Sequence, residues 1–357
     1  MSVRWWPHTR DPAIASYRLR CLRIVQQLRH DGVDAGIYKP GDPAVPSVLV
    51  LSKRYDPPSL EHAASLRQKA RVRLLLDLCD NHFHHHGDDR RLKQRADALR
   101  TACRMVDQVV VASQALAEAV RTQCPDAQVL VIPDAVEPPF MPAGWQQWRE
   151  PRAEWRLRRF ALQLQRAGAA YSRRLVWFGN HGSVGTDGGM ADLLAIRAQL
   201  EQAHVASPIS LSVVSNNEEK FRSLTAGWRL PCLYLPWHGA TFSRALRLHS
   251  ACVIPVGLNP FTRCKTNNRV ATALLHGLNV VATRIPSYDE FSACVVLDDW
   301  PAGLGAYLSD APRRARDVQA GQQILEQRYS VQAVAAQWKM LLTDQGLRSC
   351  SDIAMTA

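Results

Sequence analysis

Short apolar runs, many rich in β-branched residues, alternate with amphipathic helical stretches along nearly the whole chain, and the alternation restarts once. Strands separated by helices pair in parallel, because only a crossover of that length returns the chain to the same side of a sheet. Strand candidates in the first part are Val3–Trp6, Ala35–Tyr38, Val48–Ser52, Arg73–Leu78, Gln108–Ala112 and Gln128–Ile132. Helical patterns cover Tyr17–His30, Leu60–Lys69, Arg91–Met105 and Ala115–Gln123, with Ser113 placed as an N-cap. The second series has strand candidates Leu175–Phe178, Ile209–Val214, Cys232–Leu235, Cys252–Pro255, Asn279–Thr283 and Cys294–Leu297. Its helical stretches are Met190–Ala203, Phe242–His249, Asn267–His276, Pro312–Gln327 and Val331–Leu342. Two wound α/β units are expected, and a length of 357 residues agrees with two domains. Open α/β sheets bind ligands outside the carboxyl ends of their strands, so the expected site is a cleft that both sheets face.

An apolar content of 46% argues against disorder, and a formal charge of +12 points to an anionic partner. Nine cysteines without a CxxC fit a reducing compartment. The start, Met1 to Pro7, has no apolar signal core, and no apolar run reaches the roughly 18 residues that cross a bilayer. A cytoplasmic protein is expected, at most peripheral at the inner membrane face.

Residues 141–174 carry eight arginines (149, 152, 156, 158, 159, 166, 173 and 174) against Glu150 and Glu154. Trp145, Trp148, Trp155 and Phe160 are interleaved with them. Such a segment reads as a peripheral membrane contact, or as a linker helix with its aromatics on a domain and its arginines in water; the second is the commoner outcome. A nucleic-acid partner is not expected, since no recognisable binding module accompanies the charge.

The richest chemical signal is Lys265-Thr266-Asn267-Asn268-Arg269, a cationic loop opening a helix that Gly277 closes before the strand Asn279–Thr283. Cations are disfavoured at a helix start unless they share an anion, so this pattern suggests phosphate binding by Lys265 and Arg269. Asp80 and His82 follow the buried strand Arg73–Leu78, where an imidazole can exchange a hydrogen bond with substrate and Asp80 can set its tautomer. Alternatively, Asp80 and Asn81 only cap the next turn. His84-His85-His86 lacks partners at a structural-zinc spacing, and no metal is expected. Gly179 and Asn180 form a glycine turn after the first strand of the second half, open to a phosphate or sugar or else an ordinary tight turn, Ser215 to Asn217 end another strand, and Trp237 either stacks on a base or packs in the fold. Arg18 and Arg20 open the first helix and reach for the cleft, or else are surface arginines.

With these residues in place, the chain resembles the GT-B glycosyltransferases, and within them the large bacterial group that attaches sugars to lipid, lipopolysaccharide and capsule acceptors. The most specific part is Cys252 to Phe291; Val106 to Leu116 and Val131 to Val136 resemble the late first-domain strand and the exit to the linker. The resemblance implies two Rossmann-like domains facing a cleft, with a C-terminal helix crossing back to the first. The expected boundaries are 1–140 for the acceptor domain, 141–172 for the basic linker, 173–328 for the nucleotide-sugar domain, 329–344 for the crossover helix and 345–357 for a flexible tail. It implies a UDP- or GDP-linked sugar as donor substrate with no further cofactor, and a saccharide or lipid-linked hydroxyl as acceptor. Lys265 and Arg269 would neutralise the donor diphosphate, His82 would lie near the transferred sugar, and Gly179 and Asn180 would line the donor site. Cys264 and Thr272 stand where many members carry two glutamates, and Asn268 with Thr272 would substitute for them. Pro7-His8-Thr9-Arg10 replaces the family's glycine-rich turn. No Asp-x-Asp occurs, so a metal-carboxylate clamp has no sequence support. An epimerase of the same architecture and an inactive nucleotide-binding relative are the rival readings.

Overall fold

The computed structural model describes residues 1–85, 87, 89–144, 149–182 and 188–343. His86, Trp145, Trp148 and the expected tail 345–357 therefore lie outside the described residues. The chain divides into two compact units. The first comprises residues 1–137, the short segment Arg263–Thr266 and the described residues from Glu326 on; the second comprises 138–262 and 267–325.

The first unit is built on six parallel strands: β1 (Ser2–Pro7), β2 (Asp34–Ile37), β3 (Val48–Ser52), β4 (Arg73–Leu78), β5 (Gln108–Val111) and β6 (Val129–Val131). Their order is β2-β1-β3-β4-β5-β6. A parallel sheet is covered on both faces, which is why β3 is buried from end to end. One face packs under the helices Pro57–Ala70, Arg90–Met105 and Gln114–Gln123, through residues such as Leu60, Leu99 and Leu116. The other is covered by Arg23–His30 and by Val331–Leu342, whose Val334, Trp338 and Leu341 join Ile24 and Leu28 in one core. The C-terminal helix thus closes the first unit, with Trp338 edge-on to Trp5 at 5.4 Å.

The stretch Tyr17–His30 is not one uniform helix. After Ala15–Tyr17 it passes through a π-helical turn, Arg18–Leu22, before the α-helix Arg23–His30. Arg20 and Cys21 of that turn are buried. Arg20 donates to Asp77 at 2.5 Å, to Asp134 at 2.7 Å and to the Ile132 carbonyl at 3.1 Å.

The second unit holds β7 (Arg174–Phe178), β8 (Ser210–Ser215), β9 (Cys232–Pro236), β10 (Ala251–Ile254), β11 (Asn279–Ala282) and β12 (Val296–Leu297). Their order, β12-β11-β10-β7-β8-β9, is that of a doubly wound Rossmann sheet. β12 is shorter than its apolar run suggests, because the Cys294 and Val295 amides both bond the Phe291 carbonyl and turn the chain before it joins the sheet. The basic helix Pro151–Arg166 belongs to this unit and buries Ala153, Leu157, Phe160 and Leu164. Its Glu154 is buried and receives Arg244 at 2.5 Å.

Candidate functional site

In each sheet the strand order reverses at one place, and there the connections leave to opposite sides, opening a crevice at the carboxyl ends. In the second unit that place is between β7 and β10. Gly179 follows β7 at φ +157°, and a Cβ there would come within 3.3 Å of the Trp177 ring and 3.8 Å of Arg269 Cζ. Its carbonyl accepts the Ser215 hydroxyl at 2.8 Å, and the Asn180 side chain accepts the Gly182 amide at 3.0 Å. The turn is thus pinned by two of the residues expected to line the donor site. Arg269 lies in the first turn of the helix Asn268–Leu275, with its guanidinium 5.8 Å from the centre of the Trp177 ring. Among the described residues, Arg269 Nη1 and Trp177 Nε1 are both buried donors that lack an acceptor. Buried donors are nearly always paired, so two of them in one place mark where an acceptor belongs.

The other expected residues of this unit are distributed around the same strand ends. Ser215 closes β8 and is buried, its carbonyl taking the Trp237 amide at 2.7 Å. The Trp237 ring lies 6.2 Å from that of Phe242. Asn268 opens the helix, and Thr272 lies one turn further on, its carbonyl bonded to the His276 ring at 2.7 Å. Asn217 is the N-cap of Glu218–Thr225, accepting from the Lys220 amide at 2.8 Å, so its side chain is committed to the fold.

In the first unit the reversal lies between β1 and β3. Lys53 follows β3 at φ +52°, a left-handed conformation that is uncommon for a side-chain-bearing residue. Its ammonium meets Asp80 Oδ2 at 2.5 Å, and Lys265 Nζ meets Asp80 Oδ1 at 2.5 Å. Burial acts to raise the Asp80 pKa, but Lys265 and Lys53 outweigh it and hold the carboxyl well below the ordinary range. The segment carrying Lys265 is fixed by the Ser113 hydroxyl, which donates to the Cys264 carbonyl at 2.9 Å and also caps Gln114–Gln123.

His82 stands beside this group, with Nε2 3.9 Å from Asp80 Oδ2. Its Nδ1 lies 2.6 Å from the Tyr55 hydroxyl, and Arg95 Nη2 is 3.1 Å from the ring. The Tyr55 oxygen also accepts Arg95 Nε at 2.9 Å, and Arg95 Nη2 lies 3.1 Å from both Nδ1 and Nε2 of His82. Burial first, then Arg95, Lys53 and Lys265 against Asp80, push the His82 pKa down to about 3. The imidazole is neutral at ordinary pH and offers an N–H.

Arg18 and Arg20 are both engaged within the first unit. Arg18 Nε bonds Glu137 at 3.0 Å and its Nη1 the Pro12 carbonyl at 2.7 Å. Arg20 is 1% exposed and holds two core carboxylates, because the π turn points it inward. Sequence reasoning missed Lys53, Tyr55 and Arg95. Only Lys53 had a readable signal, a cation directly after a fully buried strand. Among the described residues no group of three or more His, Cys, Asp or Glu side chains is arranged to hold a metal ion. Among them, too, no helix is long and apolar enough to cross a membrane.

No protein-family model matches the chain, and no curated protein matches it by sequence. Solved structures do match. HepE of Anabaena, solved with UDP and glucose, aligns at a TM-score of 0.63 with 14% identity over 96% of this chain and 100% of its own. The fold is GT-B. WaaG, a glycosyltransferase involved in lipopolysaccharide biosynthesis, aligns at 0.57 with 14% identity over 96% and 100%. TarM aligns at 0.58 with 12% identity over 82% of this chain, which spans only 54% of TarM. At such identities the GT-B likeness establishes architecture, as the sequence resemblance implied, and leaves activity to the residues themselves.

Proposed function

We propose that this GT-B protein transfers a sugar from a nucleoside-diphosphate sugar, UDP- or GDP-linked, to a hydroxyl of a saccharide or lipid-linked acceptor. The observation that carries the reading is Arg269 Nη1, a buried donor without an acceptor among the described residues, at the β7/β10 reversal, beside the Gly179 turn and in the first turn of a helix. A diphosphate supplies the acceptor that this donor lacks, and its charge suits the helix start. Ser215 and Asn180 keep the turn open for the donor, Trp237 offers a stacking face, and Asn268 and Thr272 present polar groups to sugar or ribose hydroxyls. Leaving-group charge grows in the transition state, so a guanidinium aimed at it lowers the barrier. In the first unit neutral His82 exchanges a hydrogen bond with a substrate hydroxyl. Lys265 adds positive charge for the diphosphate, which it must share with Asp80.

One observation favours a second reading, a nucleotide-sugar-binding protein without turnover. Cys264, at a position where many relatives place a glutamate, is buried, with its thiol beside Asn81 and the Ala115 carbonyl. It cannot hold a sugar hydroxyl as a carboxylate does. Calorimetric titration with UDP- and GDP-sugars separates the cases. The transferase binds one of them, Arg269→Ala weakens that binding by more than about tenfold, and His82→Ala lowers turnover more than donor affinity. Binding without diphosphate release on any acceptor would select the second reading. No binding of any nucleotide would remove both.

A further inference from the structure

The helix Pro151–Arg166 has two chemically opposed faces. Its inner face buries Ala153, Leu157, Phe160 and Leu164, together with Glu154, its only acidic residue. On the outer face Trp155 and Leu162 lie seven residues apart and therefore almost in line. They are 59% and 54% exposed. Arg152, Arg156, Arg159 and Arg166 are exposed along one side of that line. Arg158 flanks the other and reaches Glu154 at 3.2 Å. Among the described residues Arg152, Arg156 and Arg166 form no ion pair, while Arg159 lies 5.4 Å from the centre of the Trp155 ring.

We propose that this face docks on an anionic bilayer surface. Trp155 and Leu162 would enter the headgroup boundary, and the guanidinium groups would bond lipid phosphates while their stems lie along the apolar layer. Two large apolar side chains held in water and flanked by exposed arginines have no role inside the fold, since the inner face already packs the helix. A tryptophan with a polar N–H suits the wet edge of a bilayer. A single-stranded nucleic acid would also use the arginines and could stack on Trp155, but it has no use for Leu162. The proposal is independent of the glycosyl-transfer reading.

The test is flotation of the full chain with phosphatidylcholine vesicles that contain or lack phosphatidylglycerol. Wild type should float with the anionic vesicles at least about tenfold better than with the neutral ones, and less so as salt rises. The variant R152E/R156E/R159E should lose at least about tenfold of that binding, and W155A/L162A should lose part of it while keeping the salt dependence. All the changed side chains are exposed, and unchanged circular dichroism would show that both variants fold. Equal flotation of wild type and the charge-reversed variant would overturn the proposal. So would absence of flotation, or arginine-dependent binding to an oligonucleotide in its place.

Discussion

His82 is kept uncharged by its neighbours, and this makes stability depend on pH. In the fold the ring accepts a proton only near pH 3, whereas its ordinary value is 6.5. Between these values the unfolded chain binds the extra proton, so stability is lost as pH falls through that window. His82→Gln removes the group from the balance. Urea unfolding followed from roughly pH 6 to pH 4 should then show a slope shallower by up to about 1.4 kcal/mol per pH unit. His249, pushed by burial to about 4 in the second unit, acts with the same sign and stays in the variant as an internal reference. Identical slopes would mean that His82 titrates as an ordinary surface histidine. The position of Asp80 and His82 was legible because a buried apolar run ends just before them. Their partners were not, because Lys53 and Tyr55 arrive from another strand end and Arg95 from a helix, and sequence carries no mark of such tertiary pairing. Arg18 and Arg20 show the converse: an arginine near a helix start looks solvent-facing until a π turn aims it at two buried carboxylates.

Elements were more legible than residues where burial writes a simple pattern. The strands β3, β10 and β11 are buried on both faces, so they appear as unbroken apolar runs. The helix Trp300–Ser309 escaped notice because it contains Pro301, Gly303 and Gly305, which read as loop. Gly303 is there for packing: a Cβ at that position would approach the Val281 methyls to 2.9 Å. Pro301 sits in the first turn, where its missing N–H is harmless. The C-terminal helix was readable from its periodicity, and its burial gives it weight. Trp338 is 1% exposed in the core that also contains Trp5, Ile24 and Val50. Trp338→Ala should cost about 3–5 kcal/mol of first-unit stability, measured by denaturant unfolding. A loss below about 1 kcal/mol would show that the helix is not integral to that core.

At the scale of the whole molecule, each unit carries its own reversal of strand order and its own cations there, but the two sets differ in what they leave unfinished. Around Asp80 the polar groups are engaged with one another: Lys53 and Lys265 each take one carboxylate oxygen, and His82 is held by Tyr55 and Arg95. Around Gly179 the balance is open, because among the described residues Arg269 and Trp177 hold donors with no acceptor. A donor nucleotide should therefore complete the second unit first. Hydrogen exchange with and without saturating UDP or GDP tests this directly. A ligand at one hundred times its dissociation constant stabilises the state that binds it by about 2.7 kcal/mol, enough to slow exchange roughly a hundredfold where the opening exposes the site. Slowing should centre on Trp177 to Gly182 and on Asn268 to Leu275, with the helix Arg23–His30 unchanged. Slowing confined to the first unit would place the nucleotide on the Asp80 side and transfer the donor role to the lysines there.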